Sequence, residues 1–296
     1  MTFSDSGVKY FEGKVAVVTG GSRGIGKAVI DELIEKGARV VIGDILESLG
    51  NEVANAYNEK AGTKVAAFIR TDVSKYSDNK ALFQFAETEF GGVDIAILSA
   101  DDLEEGIFNV NTIGVIKGSK VALMHMAKRG GGSIVCIAST AGLYTVFDTS
   151  AYNASKHAVV GYVRSCSIMP AVCNVRVNAV CPSWVATDLL VGFTSSSTVD
   201  PLVEAMNAFP FVAMSDVVKG VFTFLYEESR NAEALMILSD GLQWNVPAPL
   251  PACFFSEECV NVQKRYFENA IPYSKKQLAE ALERYNAEQQ SFLDLS

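Results

Sequence analysis

The 296-residue sequence predicts an α/β fold: a single domain built on one doubly wound, parallel sheet of about seven strands with helices on both faces. Two observations carry this prediction. Short apolar runs, such as residues 15–18 and 93–98, are typical of strands that are buried on both faces. These runs alternate with longer segments of helical character, and that alternation implies right-handed crossovers between parallel strands.

Each element has a local signal of its own. Strands are predicted at residues 11–19, 39–44, 64–69, 93–98, 133–138, 175–180 and 234–238. Helices are predicted at residues 27–36, 46–60, 77–90, 105–128, 149–169 and 216–227. Several of these helices are followed by glycine or proline, which end helices. An apolar stripe at helical spacing supports the helix at 77–90.

The composition changes near Trp244, which marks a boundary in the chain. Pro247, Pro249 and Pro251 predict a stiff, extended connection. Residues 274–289 alternate charged and apolar side chains as an amphipathic helix does. We therefore expect a domain at 1–244, with a substrate lid at about 191–214. Residues 245–296 would form a Pro-rich connection and a C-terminal helical extension, packed on the body or on a partner subunit.

Charge and composition exclude several functions. The net charge of −9, without a Lys/Arg cluster, argues against nucleic acid and anionic membranes as partners. No apolar run is long enough to span a membrane, and residues 1–11 lack signal-peptide features, so a cytoplasmic location is expected. The six cysteines form no CxxC pair and are expected to be reduced. With two histidines, the sequence shows no metal-site spacing, and no metal is expected.

The glycine-rich stretch at residues 20–26 follows the first strand and opens the first helix. This geometry presents backbone N–H groups and a helix N-terminus to a pyrophosphate. Asp44 ends the second strand, where the dinucleotide fingerprint has a carboxylate that binds the ribose hydroxyls. Asp44 therefore favours NAD over NADP, whereas Arg23 in the glycine loop favours the phosphorylated cofactor.

A tyrosine and a lysine predict acid–base chemistry. Tyr152 and Lys156 are four residues apart and so share one face of a helix. A neighbouring ammonium lowers the pKa of a phenol toward working pH, which suits a carbonyl/alcohol couple. Ser139 ends the fifth strand, and ligands bind at the carboxyl ends of parallel strands. Ser139 can therefore polarise the same substrate oxygen as Tyr152.

Residues 8–244 resemble the classical short-chain dehydrogenase/reductases. The resemblance rests on Thr19-Gly20-xxx-Gly24-x-Gly26, Asp72, Asn111, Ser139, Tyr152-xxx-Lys156, and residues 178–182 with Thr187. The sequences at 109–120 and 151–164 are similar to those of NAD-dependent 15-hydroxyprostaglandin dehydrogenases and of fungal and insect alcohol dehydrogenases.

The resemblance implies a Rossmann-type domain and a role for each matching residue. Tyr152 would be the general acid/base, Lys156 would lower the Tyr152 pKa and hold the nicotinamide ribose, and Ser139 would orient the substrate oxygen. Asn111 would support a water that links Lys156 to solvent. The implied cofactor-binding residues are Gly20, Ser22, Arg23, Gly24, Ile25, Gly26, Asp44, Asp72, Val73, Ala100, Tyr152, Lys156, Pro182, Val185 and Thr187. A homodimer or homotetramer would pair through helices at about 107–128 and 150–168.

The expected reaction is the NAD-dependent oxidation of a hydrophobic secondary alcohol, or the reverse ketone reduction. Several aromatic residues could line an apolar substrate pocket or belong to the core: Tyr144, Phe147, Trp184, Phe193, Phe209 and Phe211. One alternative is an NADPH-dependent ketoreductase of a biosynthetic pathway. Another is a redox-inactive, cofactor-binding scaffold or non-redox catalyst.

Two residues depart from the family pattern. Asp101 stands where the family usually has a glycine near the cofactor, and Ser183 replaces a common glycine after Pro182. We expect Asp101 either to rearrange the site locally or to weaken NAD binding. The redox-inactive alternative depends on this residue, and the intact Ser139, Tyr152 and Lys156 count against it.

Overall fold

The computed structural model of the chain describes residues 10–103, 106–146, 149–188, 204, 208–251, 253 and 255–293. In this part of the chain the strands form one eight-stranded sheet in the order β3-β2-β1-β4-β5-β6-β7-β8. The strands are β1 (Val15–Thr19), β2 (Arg39–Asp44), β3 (Ala66–Arg70), β4 (Ile95–Leu98), β5 (Gly132–Ile137), β6 (Val175–Pro182), β7 (Ala234–Leu238) and β8 (Gly241–Asn245). The first seven are parallel, which confirms the predicted doubly wound fold class.

Helices cover both faces of the sheet. The α-helices are α1 (Gly24–Glu35), α2 (Glu47–Ala61), α3 (Tyr76–Phe90), α4 (Val115–Lys128), α5 (Ser150–Ser165), α6 (Met169–Cys173), α7 (Met214–Tyr226) and α8 (Glu257–Leu293). Two apolar clusters form the core. One joins the sheet to α3, α4 and α5 through residues such as Phe83 and Val160. The other joins it to α1, α2 and α7 through residues such as Leu33 and Phe224.

The eighth strand was not among the seven predicted. It pairs antiparallel to β7, with Leu235 opposite Trp244. Only half-buried and mixed in polarity, β8 lacks the continuous apolar run that marks the parallel strands. Trp244 fixes it by packing against Phe224 and beneath the Arg230 guanidinium, which lies 4.0 Å from the ring centroid.

The helix predicted at 105–128 consists of two different parts, so the expectation of one continuous α-helix is wrong. A π-helical segment, Phe108–Gly114, precedes α4. π-helical turns are wider than α-helical turns and occur often at functional sites. This segment buries Asn111 completely and directs it toward the loop after β4.

The C-terminal extension forms one long helix, α8, which begins well before the predicted residue 274. It packs against α6, and its buried Tyr285 reaches His125 of α4. None of the described helices is both long and apolar enough to cross a membrane.

Candidate active site

The glycine loop connects β1 to α1 and lies against the loop that follows β4. Gly20 has a φ of +65°, and a Cβ placed there would lie 2.9 Å from backbone atoms of Ala100. A Cβ on Gly26 would lie 2.2 Å from the Gly20 carbonyl oxygen. The backbone can therefore pack this closely only with glycine at both positions.

Asp44 braces this loop from the end of β2. Its Oδ2 accepts a hydrogen bond from the Ser22 backbone N–H at 3.0 Å, and its Oδ1 accepts one from Leu46 N–H at 3.1 Å. The buried Ser22 hydroxyl has no hydrogen-bond partner within the described part of the chain. An unpaired hydroxyl and a carboxylate beside a glycine loop suit the ribose and phosphates of a dinucleotide. The chain's residues thus fit the adenosine half of the cofactor.

The other residues predicted to hold the cofactor follow β3, begin α1 or follow β6. Asp72 fixes the turn after β3 because its carboxylate accepts hydrogen bonds from Ser74 N–H and Oγ–H at 3.0 and 2.6 Å. The Ser74 hydroxyl is the main cause that lowers the pKa of Asp72, with Lys75 contributing. Val73 is buried in that turn, and Arg23 is exposed at the start of α1. Thr187 faces Gly24 from the segment after β6, 3.8 Å from where a Cβ would stand.

Ser139 and Tyr152 meet at the carboxyl end of β5. The Ser139 hydroxyl accepts a hydrogen bond from Ala141 N–H at 3.1 Å, which caps the short 3₁₀ turn Thr140–Gly142. The same hydroxyl donates to the Pro182 carbonyl at 3.4 Å, and its proximity tends to lower the pKa of Tyr152. Ser139 therefore caps the 3₁₀ turn and also lies near Tyr152. Its structural role is compatible with the catalytic role predicted for it.

Lys156 lies one turn after Tyr152 on α5, with its side chain 1% exposed. Its ammonium donates to the Ile137 carbonyl at 3.3 Å and lies 5.4 Å from the Tyr152 ring centroid. The predicted pair is thus present on one face of α5, at the candidate site.

Asp101 adds a third ionisable group to this centre. Its Oδ2 lies 2.9 Å from the Lys156 ammonium and 3.5 Å from the Tyr152 hydroxyl. The sequence identified Asp101 as a departure from the family pattern but did not reveal this ion pair. Asp101 thus pairs with the lysine that is predicted to be catalytic, and whether it rearranges the site or weakens NAD binding stays a prediction.

This arrangement changes the expected electrostatics. Burial raises the pKa of Tyr152 well above 10.0, and the Asp101 carboxylate raises it further. Lys156 was expected to lower this pKa toward working pH, and that expectation is wrong here because burial has the largest effect on the phenol and Asp101 pairs with the ammonium. Burial also raises the pKa of Asp101, while Lys156 limits the rise.

Asn111 holds the segment that carries Asp101. Its amide oxygen accepts from Asp102 N–H at 2.8 Å, and its amide nitrogen donates to the Asp102 carbonyl at 2.9 Å. The amide nitrogen also lies 3.4 Å from the Ser155 hydroxyl. The structure thus gives Asn111 a clear positioning role, and its support of a water near Lys156 stays a prediction.

A largely apolar cavity of about 300 Å³ opens onto Ser139 and Tyr152 at the carboxyl ends of the central strands. Several of its walls come from residues that the sequence analysis did not identify as pocket residues: Leu103, Ile107, Val146 and Thr149. Four predicted cofactor contacts also line it: Ile25, Pro182, Val185 and Thr187.

The residues that were predicted to line a substrate pocket do not all lie at the cavity. Trp184 lines the cavity, and Phe209 lies beside it with ring centroids 5.8 Å apart. Tyr144 is 58% exposed and is not among the lining residues. Phe147 and Phe193 lie outside the described residues, as does most of the predicted lid, at 191–203 and 205–207. Within the described ranges, no three His, Cys, Asp or Glu side chains are grouped to hold a metal ion.

The chain belongs to the short chain dehydrogenase family, whose sequence profile matches residues 14–197. It is similar to (+)-cis,cis-nepetalactol synthase NEPS3 of Nepeta racemosa, at 36% identity over 71% of this chain and 81% of that protein. It is also similar to the 15-hydroxyprostaglandin dehydrogenase [NAD(+)] of Macaca fascicularis, at 30% identity over 77% and 92% of the two chains.

One solved structure extends the comparison to the fold. A single-residue variant of actinorhodin polyketide ketoreductase, solved with NADPH, superposes with a TM-score of 0.69 and 27% identity, over 76% of this chain and 96% of that one. The family membership and the site geometry make this chain an oxidoreductase of the short chain dehydrogenase family.

Proposed function

We propose that the protein transfers a hydride between NAD(H) and a secondary alcohol or ketone of a hydrophobic small molecule, with Tyr152 as the general acid/base. The observation that carries this proposal is the convergence of Ser139 and Tyr152 on one apolar cavity beside the glycine loop. Two hydroxyls at one point can hold a single substrate oxygen, and apolar walls favour an apolar substrate.

In this proposal, different residues around the cavity bind different parts of the cofactor. The glycine loop, Ser22 and Asp44 would hold the phosphates and the adenosine ribose, and Asp72 and Val73 the adenine. Lys156 would hold the nicotinamide ribose, and Val185 and Thr187 the carboxamide. When bound, the nicotinamide supplies or accepts the hydride.

The chain's own contribution is orientation and proton transfer. Ser139 and Tyr152 would donate hydrogen bonds to the substrate oxygen, and Tyr152 would give that oxygen a proton in reduction or take one in oxidation. The apolar walls of the cavity exclude water, which strengthens these hydrogen bonds. Asn111 would keep the loop after β4 in place and support the proton path to solvent.

Asp44 supports NAD because its carboxylate would bond ribose hydroxyls and repel a 2′-phosphate. The name of the macaque relative specifies NAD(+), which agrees with this choice, whereas the ketoreductase structure contains NADPH. The second candidate is therefore an NADPH-dependent ketoreductase, favoured by the exposed Arg23 next to the loop.

The first experiment is to titrate the protein with NADH and NADPH, following energy transfer from the two tryptophans to the nicotinamide. Tighter NADH binding would support the proposal, and tighter NADPH binding would favour the second candidate. Binding of neither would overturn both and also the cofactor-binding scaffold, and would leave a non-redox catalyst.

Turnover is then tested with apolar cyclic and acyclic alcohols and ketones. Tyr152→Phe should bind NADH as the natural chain does, because the phenyl ring keeps the packing. It should lose about 10²-fold or more of the turnover, because it has no proton to transfer. Undiminished turnover in Tyr152→Phe would remove Tyr152 from the mechanism.

We also propose a cytoplasmic location and a homodimer or homotetramer. All six cysteines are free thiols, which fits a reducing compartment. The assembly would use the faces of α4 and α5.

A further inference from the structure

The ion pair between Asp101 and Lys156 is built into the site rather than formed by a loose surface side chain. The Lys156 side chain is 1% exposed and that of Asp101 is 20% exposed. The second Asp101 oxygen accepts from Asp102 N–H at 3.1 Å, and Asn111 clamps both backbone groups of Asp102. The carboxylate is therefore held at the lysine by the fold itself.

The Lys156 ammonium already has two protein partners in this arrangement. An ammonium has three N–H donors. One donor is directed to the Ile137 carbonyl and a second to Asp101. A charge-assisted bond to a carboxylate is stronger than one to a neutral hydroxyl. The third donor stays available to a ribose hydroxyl, but that hydroxyl must bind an ammonium whose position and charge Asp101 already holds.

The charge of Asp101 also acts on Tyr152. Among the residues that the structure describes, three titratable groups face the phenol from the surrounding elements: Asp101 after β4, Lys156 on α5 and Cys181 on β6. Burial raises the pKa of the Cys181 thiol to about 12, so it is neutral at physiological pH. The negative Asp101, 3.5 Å from the phenol oxygen, opposes the effect of Lys156 and disfavours the phenolate.

We propose that Asp101 is a positioning residue that holds the Lys156 ammonium back from the nicotinamide ribose and keeps Tyr152 protonated through neutral pH. This inference rests on the proposed function, since it concerns how the same site takes NAD(H). It has two consequences. NADH binds more weakly than Lys156 alone would allow, and alcohol oxidation, which needs the unprotonated tyrosine, reaches its full rate only at alkaline pH.

The test compares Asp101→Asn with Asp240→Asn. Asn keeps the shape of Asp101 and removes its charge. Asp240 is exposed in the turn between β7 and β8, so its variant makes the same change in net charge away from the site. Asp101→Asn should bind NADH about tenfold more tightly than the natural chain, because Lys156 is freed for the ribose, while Asp240→Asn should not change the affinity.

The second readout is the pH profile of cyclohexanol oxidation. In Asp101→Asn the plateau of kcat/KM should be reached at a pH lower by about one pH unit, because the charge that disfavours the phenolate is gone. Thermal unfolding confirms that the variants are folded, and Asp101→Ser replaces Asp101→Asn if the latter is not.

The outcomes separate this inference from the proposed function. Unchanged NADH affinity together with an unchanged pH profile in folded Asp101→Asn would overturn the role of Asp101 and leave the function intact. If Asp101→Asn binds NADH and the natural chain does not, that result would support the restraint of Lys156 by Asp101 and would overturn the proposed function. Binding by neither protein would overturn both.

Discussion

Asp44 has a structural role in the glycine loop, and the proposed function gives it a second role in cofactor selection. Both of its carboxylate oxygens accept backbone hydrogen bonds, from Ser22 and Leu46, and the residue is 8% exposed. Its negative charge lies beside the glycine loop, where a 2′-phosphate would approach. The same carboxylate thus shapes the loop and would exclude NADP.

Replacement of Asp44 by Ala should reduce the preference for NADH over NADPH by about tenfold or more, because the repulsion of the 2′-phosphate and the bonds to the ribose are lost together. Fluorescence titration with both cofactors measures this preference. Asp44→Asn is the matched control: it removes the same charge but keeps one acceptor for the loop, so it should be destabilised less than Asp44→Ala. A preference that survives in both variants would assign cofactor selection to other residues.

The residues of the site were predictable to different degrees. Tyr152 and Lys156 are close in sequence, so helical spacing was enough to place them on one face. Asp101 and Tyr152 are 51 residues apart, and their approach depends on the packing of the β4 loop against α5. Residue spacing along the chain does not encode such a contact, so the sequence identified Asp101 as unusual without revealing its partner.

Among the elements, those with a strong local pattern were predicted best. Strand β2 has the predicted bounds because its apolar run ends sharply at Asp44. The π-helical segment was missed because its composition is that of an ordinary helix, and its wide turn is stabilised by contacts such as that of Asn111 with Asp102. Its geometry thus depends on a loop that lies outside the helix.

Helix α8 is attached to the body by a polar cluster around His125. The His125 Nε2 lies 2.8 Å from the Tyr285 hydroxyl, and its Nδ1 lies 2.6 Å from a carboxylate oxygen of Glu87 on α3. The ammonium groups of Lys80 and Lys128 lie 5.2 and 5.0 Å from the Tyr285 ring centroid. Glu87 orients the histidine that receives Tyr285, so it links α3, α4 and α8.

This cluster predicts a pH-dependent stability. Burial tends to raise the pKa of Glu87, but His125 and Lys128 together hold it below 4.5. A carboxyl whose folded-state pKa is lowered contributes stability above its unfolded value and loses that contribution as the pH falls through the folded value. Glu87→Gln should therefore lower Tm by about 2 °C at neutral pH, corresponding to about 1 kcal/mol for a partly exposed pair.

The difference in Tm between Glu87→Gln and the natural chain should shrink on acidification, because Glu87 itself becomes neutral. Thermal unfolding followed by circular dichroism across the acid range measures it. Glu59 of α2 is exposed, so Glu59→Gln provides the same charge change on the surface. A Tm difference that is constant with pH would mean that the Glu87 charge does not stabilise this cluster.

At the scale of the whole molecule, the parallel sheet determines where the chemistry lies. The glycine loop, Asp101, Ser139 and Trp184 follow β1, β4, β5 and β6, which are neighbours in the sheet. Parallel neighbours place their carboxyl ends at one edge, so four segments that are far apart in sequence meet there. The position of the site was predictable for this reason, whereas the shape of its cavity depends on loops between these strands.

Helix α5 is the surface through which we expect whole molecules to pair. The inner face of this helix is buried through Val159, Val160 and Val163, while Ala154 and Gly161 are exposed on its outer face. A Cβ added at Gly161 would meet no atom within 4 Å, so a larger side chain fits the single chain without strain. In a two-fold dimer that pairs α5 with its copy, the same position would bring two such side chains together.

Gly161→Glu should therefore convert the proposed dimer or tetramer into smaller species, because two buried carboxylates would repel each other across the axis. Light scattering coupled to size-exclusion chromatography measures the mass. Gly161→Ala is the matched control and should keep the assembly, since it adds a single methyl group. Gly161→Ala should unfold at or slightly above the temperature of the natural chain, since glycine is an unfavourable residue in a helix. A natural chain that is already monomeric would show that α5 is not the pairing surface, and an assembly unchanged by Gly161→Glu would place the interface on another face of the molecule.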